Sequence, residues 1–536
     1  MAKPAVETRA GPLSDPVGSS HDGSPPGEGR HDRPGRVFVI SVAVAAAFVA
    51  LGVFATDTFN DALGMVVDHI TDGLGWLYLL ITTGFLGFVL WLAFSRYGSI
   101  RLGKDGESPE FGLFSWFAML FQAGMGIGLL FWGVSEPVLH TVQPPLGVEQ
   151  ARTPDAAALA IQYSFFHWGL HPWAIYAVVG LAVGYFSYRR GANSLRISAV
   201  LRPLIGDRVD GAVGQAVDVL AVMATLFGIA VSLGLGTLQI EAGLSQAFGA
   251  PEGLGVQLGI MGVTAAAYML SAATPIERGI RGLSNLSMVL AVMLLGYFLV
   301  VGPTVLEFNA MTQGLGDYAS GLVGMSLHTS AFDPSGWLGE WTLFFWATWI
   351  AWAPYVGAFI ARISRGRTIR EFVVGVLLAP TVFSVVWFGV FGAAGIDADR
   401  ATHGAISRAA DQDAANGMFT FIEQFPLVGL ISGLTIFLVW IFFVAGADAG
   451  TVVLGSMSSQ GEDDPRRSVK LTWGVIMGAI AAVLLAAGGL DALQSGAIVA
   501  ATPFGLLMIA ICWALVRALR EDRHDSATRT PSASTQ

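Results

Sequence analysis

Apolar stretches separated by short polar loops fill most of the chain. A bilayer crossing needs roughly 20 consecutive apolar residues. Twelve such stretches fall at about 37–55, 74–95, 112–134, 158–187, 213–247, 256–272, 284–306, 341–361, 371–394, 427–456, 471–488 and 495–516. Those at 158–187, 213–247 and 427–456 exceed the bilayer, which predicts tilt or extension beyond it. Between the seventh and eighth, the mixed, Gly-rich residues 309–335 predict a short interfacial helix. The expected fold class is an all-α polytopic membrane protein with 12 transmembrane helices.

Composition agrees. The chain is 54% hydrophobic and 13% charged, with a mean hydropathy of +0.62, which excludes an ordinary soluble domain. Residues 1–35 are rich in Pro, Gly, Ser and charge and lack an early apolar core, so they read as a disordered cytoplasmic tail and not a cleavable signal. Residues 36–517 form the membrane domain, and 518–536 a short cytoplasmic tail of mixed charge. The net charge of −10 says less than its distribution. With both termini in the cytoplasm, all but Arg152, Arg400 and Arg408 of the 29 Lys and Arg residues face inward. The outer loops carry acids instead, among them Asp57, Asp61, Asp68, Asp72, Asp397 and Asp399. The expected location is therefore the plasma membrane, multi-pass. The single cysteine, Cys512, excludes a disulfide within the chain.

Two segments break the apolar pattern in a way that points to chemistry. In the run from Ala123 to Pro137, Gly124, Gly126 and Gly128 recur at every second position and make a poor helix interior. Opened backbone at membrane depth survives only inside protein or along a cavity, and transporters place substrate and ions there. The second segment runs from Trp341 to Tyr355, with Trp346, Trp349, Trp352 and Tyr355 three residues apart. Pro354 predicts a kink or an opening of that helix. A third segment, His167 to Tyr176, adds Trp168, Trp173 and Tyr176. Isolated membrane tryptophans usually sit at the interface. Aromatic clusters beside helix breakers suggest a cage, because a trimethylammonium group has no N–H to donate and is held best by π faces.

The glycine run with its Ser-Glu-Pro, the tryptophan run ending in Ala-Arg-Ile-Ser-Arg-Gly-Arg-Thr, and the stretch from Ser232 to Gln239 resemble the betaine/choline/carnitine transporter family over residues 36–517. The resemblance implies a secondary transporter with the leucine-transporter (LeuT) fold, in which helices 3–7 and 8–12 are LeuT-like inverted five-helix repeats. It also implies a homotrimer. Carried over, the aromatic box is Trp168, Trp173, Tyr176, Trp349 and Trp352. The backbone of Gly124, Met125, Gly126 and Gly128 lies beside the substrate's carboxylate or hydroxyl end. The expected substrate is a small osmolyte, most of all glycine betaine, with choline, carnitine and ectoine as relatives.

Two departures stand out. Thr348 occupies a position where quaternary-amine carriers of the family usually have a second tryptophan, which opens the way to a more polar zwitterion such as ectoine. Ala445 and Gly446 replace a hydroxyl pair of the sodium-driven members, and Ile229 replaces a threonine, leaving Thr225. A sodium site would then draw on Thr225 and on backbone carbonyls near Gln122, Met125 and Phe442. Proton coupling is the equal alternative, with Asp218, Glu241 and Asp448 as candidates, each of which otherwise reads as a hydrogen-bonded structural group. Sodium-independent exchange stands third.

His167 and His171 are spaced for one helix face, but Trp168 follows where a hydrolytic zinc site wants an acid, so no enzyme is expected. An osmosensing transceptor is the other rival reading. No cofactor beyond a co-transported Na+ or H+ and no nucleic-acid partner is expected.

Overall fold

The computed structural model describes residues 35–528 apart from 125, 148, 193–195, 274–276, 333–334 and 460–464; within helices, the side chains at 118, 121–124, 273, 277–284 and 523–528 are also outside the described set. The tail expected at 1–35 lies outside it but for its last residue. The described residues form helices with no strand, apart from one isolated bridge between Arg101 and Thr368.

The chain enters through α1 (Arg36–Phe54) and α2 (Thr56–Phe94). The latter begins well before the apolar stretch expected at 74–95, and Asn60 anchors the extension by donating to the Ala487 carbonyl at 2.8 Å. The third stretch forms two short helices, α3 (Leu113–Gly124) and α4 (Ile127–Val142), interrupted at Gly126 (φ −143°, ψ −148°). The fourth is likewise split, into α5 (Pro154–Trp168) and α6 (Leu170–Gly184), at Gly169. Two single-turn helices, α7 (Ile197–Val200) and α8 (Arg202–Ile205), lead into the long α9 (Ala212–Phe248) and then α10 (Leu254–Ala273).

Between α11 (Glu277–Val301) and α12 (Thr304–Leu327) the axis turns by 111°. The short helix expected at 309–335 is thus a 24-residue helix that starts earlier, directly after Pro303, which cannot continue α11. A π turn at Gly339–Leu343 opens α13 (Phe344–Ile363). Of the kink or opening expected at Pro354, there is no opening: α13 runs through it as one helix, buried along most of its length. Tight packing against α6, α9 and α18 supports a proline that would break an isolated helix.

After α14 (Ile369–Ala401) and the short α15 (Ala405–Gln412) and α16 (Asn416–Ile422) come α17 (Val428–Ser458) and α18 (Arg467–Thr528). The last is interrupted at Gly488 and Gly489, where Gly489 takes φ +59°, a left-handed conformation that favours glycine. The two limbs fold back on each other, since a Cβ at Gly496 would lie 3.3 Å from Leu484. The second limb runs to Thr528, so residues 518–528 of the expected tail are helical.

Among the described residues, nine helices are long and apolar enough to cross a membrane, or ten with the bent pair counted as one. The protein is an all-helical polytopic membrane protein. Burial separates its layers: the apolar window of 154–189 is 94% buried, against 22% for α1 and 17% for α10. The fourth stretch is therefore at the centre, and the outer helices turn apolar side chains such as Leu51, Leu270 and Val300 outward.

Candidate aromatic binding site

The site forms where the end of α5 meets α13. Trp168 and Trp349 contact edge to face, with centroids 4.9 Å apart at 76°. Phe345 and Phe388 flank Trp168 at 5.6 and 5.3 Å. Tyr176 of α6 stands at 85° to Trp349, 6.2 Å away, and Trp173 lies 5.6 Å from Tyr176. Four of the five aromatic residues read from the sequence are thus linked. Trp352 is turned away: its indole N–H donates to the Gly228 carbonyl of α9 at 2.8 Å and its ring packs on Tyr355.

The break at Gly169 explains one anchor. Helix α5 ends with carbonyls that have no partner in the next turn, and the Trp349 N–H takes that of His167 at 3.0 Å. Gly128, in the first turn of α4, lies against the same wall. A Cβ there would sit 2.8 Å from Cη2 of Trp168, so only glycine lets the helix approach so closely. The first turn of α4 also offers backbone N–H groups suited to a carboxylate. Gly124 and Gly126 flank the break, and Met125 lies outside the described residues. The Thr348 hydroxyl on α13 is buried and has no hydrogen-bond partner among the described residues.

Behind Trp168 is a polar cluster that the sequence reading did not single out. Glu136 of α4 is fully buried. Its Oε2 accepts the Trp168 indole N–H at 2.7 Å, and its Oε1 lies 2.8 Å from Nδ1 of His167. Nε2 of His167 lies 2.9 Å from the Thr342 hydroxyl. His140, one turn along α4, brings Nε2 to 3.5 Å from Glu136, beyond a good hydrogen bond, and both its nitrogens are buried without a partner. Glu136, His140 and His167 bring ligand atoms within 4.8 Å of one another, with Glu136 already accepting the Trp168 N–H and both His140 nitrogens unpartnered among the described residues. His171 lies across the Gly169 break on α6, stacked on Trp346 and 3.1 Å from the Ser326 hydroxyl, so it does not share a site with His167.

The described residues expected to serve coupling have contacts of their own. The Thr225 hydroxyl is directed at the Met457 sulfur at 3.8 Å, Ile229 packs on Gly450, and Phe442 and Ala445 are half-buried. The space around Gly446 is open, and the Gln122 side chain lies outside the described set. Asp218 accepts from the backbone N–H and hydroxyl of Ser198 at 2.9 and 2.8 Å, at the start of α7. Glu241 accepts from the Gly253 N–H and the Gln257 amide, both at 2.7 Å, and Asp448 accepts from Ser271 at 3.2 Å.

The family profile described as betaine/carnitine/choline family transporter matches residues 36–524. The chain belongs to this family. Among curated relatives of the betaine/carnitine/choline transporters, a glycine betaine transporter of Bacillus subtilis is 46% identical over 492 residues, 91% of this chain and 95% of its own length. An ectoine/hydroxyectoine transporter of Virgibacillus pantothenticus is 38% identical over 90% of this chain and 96% of its own. An osmo-dependent choline transporter of Acinetobacter baylyi is 37% identical over 94% of this chain and 74% of its own. The resemblance read from the glycine and tryptophan runs is therefore a full-length relationship to betaine/carnitine/choline transporters. Within that framework, Glu136 carried a signal that could have been used: it is a lone acid in the most apolar part of the chain, with a histidine four residues on.

Proposed function

We propose that this protein is a secondary active carrier, and no enzyme, that imports a small osmolyte by alternating access, with glycine betaine as its first substrate. The reading rests above all on the meeting of Trp168 and Trp349, flanked by Tyr176, at the break between α5 and α6. π faces hold a methylated cation without a buried counter-charge. The first turn of α4 beside Trp168 would take the carboxylate. Relatives whose names specify glycine betaine, ectoine and choline support the same substrate class. Trp352 and Trp173 complete the aromatic surface during transport.

The twelve crossings would be α1, α2, α3 with α4, α5 with α6, α9, α10, α11, α13, α14, α17 and the two limbs of α18. Helix α12 would lie along the interface after its 111° bend. Residues 36–517 would form the carrier domain of the plasma membrane, with LeuT-like repeats, both termini cytoplasmic and three copies per assembly. Thr225 and backbone carbonyls, or the buried acids Asp218, Glu241 and Asp448, would serve coupling by Na+ or H+.

Ectoine is the second reading, favoured by a buried Thr348 hydroxyl on α13 that has no partner among the described residues. Uptake of radiolabelled glycine betaine into proteoliposomes, under sodium and proton gradients imposed separately, tests both substrate and coupling. Uptake under either gradient supports import. No uptake by folded protein under both, with ectoine taken up instead, transfers the assignment to the second reading.

A further inference from the structure

The cluster behind Trp168 contains one carboxyl and two imidazoles and no fixed cation. Among the described residues, the partners of Glu136 are His167, Trp168 and His140, and none is a lysine or arginine. All three ionisable side chains are fully buried. A bare carboxylate in such a place is costly, so the set is most stable when it holds one proton and is neutral. Both His140 nitrogens are buried and unpartnered, and its Nε2 is directed at Glu136. The set therefore has spare capacity to accept and relay a proton. Its link to the cage is direct: the same carboxyl holds the Trp168 indole at 2.7 Å.

We propose that Glu136, His167 and His140 form a proton-binding site that balances the charge of the bound solute through Trp168. The proposal rests on the osmolyte reading above. A dry site favours zero total charge. A zwitterion such as glycine betaine brings none and binds with the cluster proton retained. A monocation such as choline brings one positive charge and binds with the proton displaced to water, leaving the Glu136 carboxylate as its counter-charge. The same pocket thus binds the monocation with a pH dependence that the zwitterion lacks.

The other titratable groups facing the cluster are few. Tyr163 lies 5.9 Å from the His167 ring, and His171 stands beyond the Gly169 break. Of the acids on packed neighbours, Asp399 of α14 pairs with Arg152 at 3.1 Å, Glu241 of α9 accepts from Gly253 and Asp448 of α17 from Ser271, while Glu307 of α12 is buried beside Gly302 at the start of that helix. Asp413, before α16, accepts from the Ala415 N–H, and Glu340 on the π turn is exposed.

The test is equilibrium binding of radiolabelled glycine betaine and choline to the full chain in lipid nanodiscs, from about pH 5 to about pH 9, the range where histidines and shifted carboxyls titrate. Choline affinity should rise with pH, by up to about tenfold per unit for one displaced proton, while betaine affinity, which displaces none, stays level. Glu136→Gln, checked for folding by size-exclusion chromatography and circular dichroism, should flatten the choline profile and weaken choline more than betaine. His167→Asn provides a second variant and should shift the choline profile. Parallel profiles for the two solutes in the unmodified protein overturn the proposal and leave the osmolyte reading standing. Binding of neither solute at any pH overturns both.

Discussion

The edge of one indole faces the plane of another where Trp168 and Trp349 meet, 4.9 Å apart at 76°. Neither ring is free to turn. Trp168 donates to Glu136 at 2.7 Å and Trp349 to the His167 carbonyl at 3.0 Å. A cation beside the pair meets preset π faces. Trp349→Ala removes one face and should weaken glycine betaine binding by about 1–2 kcal/mol, the size of a desolvated cation–π contact. Isothermal titration of purified protein reads this directly, and unchanged affinity would remove Trp349 from the site.

Gly128→Ala tests the other side of the same wall. The added methyl would come 2.8 Å from Cη2 of Trp168, a ring already held by Trp349, Phe388 and Glu136. Overpacking of this kind costs about 1–3 kcal/mol, expressed here as weaker substrate binding. Gly296→Ala, in open space on α11, should leave affinity unaltered. Equal effects of the two changes in a binding assay would refute the contact.

The start of α14 offers a stability test away from the site. Thr368 accepts from the Glu371 N–H at 3.1 Å, and Glu371 returns the bond to the Thr368 N–H at 2.8 Å. Thr368→Ala should cost about 1 kcal/mol, while Thr368→Ser retains the cap. Thermal unfolding in detergent would rank the variants in that order.

Glu107 gives a pH dependence with a definite sign. It lies in the loop after α2, where the Lys104 backbone N–H at 2.8 Å and the Arg365 guanidinium at 2.7 Å hold its carboxyl below the usual range. A lowered folded pKa means that the latch stabilises fully above the unfolded carboxyl value near pH ~4.3 and is lost as pH falls through the folded value. Glu107→Gln should therefore lower the melting temperature at neutral pH, and the gap to the unmodified protein should close in acid. A constant gap down to the lowest pH would contradict the assignment.

Much of this was legible from residue order. The apolar stretches located the membrane helices, and the glycine run located the break between α3 and α4, because both are local properties of the chain. Helix ends were less legible. Hydropathy sees only the lipid-facing length, whereas α2 and the second limb of α18 continue into polar sequence wherever backbone bonding allows. At Pro354 the helix does not open, since packing around α13 supports a local breaker. Trp168 and Trp349 were found by their chemistry. Glu136 was not, because its partners His167 and Trp168 lie more than 30 residues along the chain and only the tertiary fold unites them.

The π turn at Gly339–Leu343 bears on how this protein tolerates change in length. Such a turn is what one extra residue leaves in an otherwise regular helix. Thr342 lies within it and faces Nε2 of His167 at 2.9 Å. Deleting a single residue there would restore regular winding and remodel the turn that aims Thr342 and Trp341. Their contacts with His167 and His140 would then be lost. The polar half of the site is thus written in the number of residues before Trp349 as much as in their identities, and a shortened chain could keep every side chain named here and still lose it.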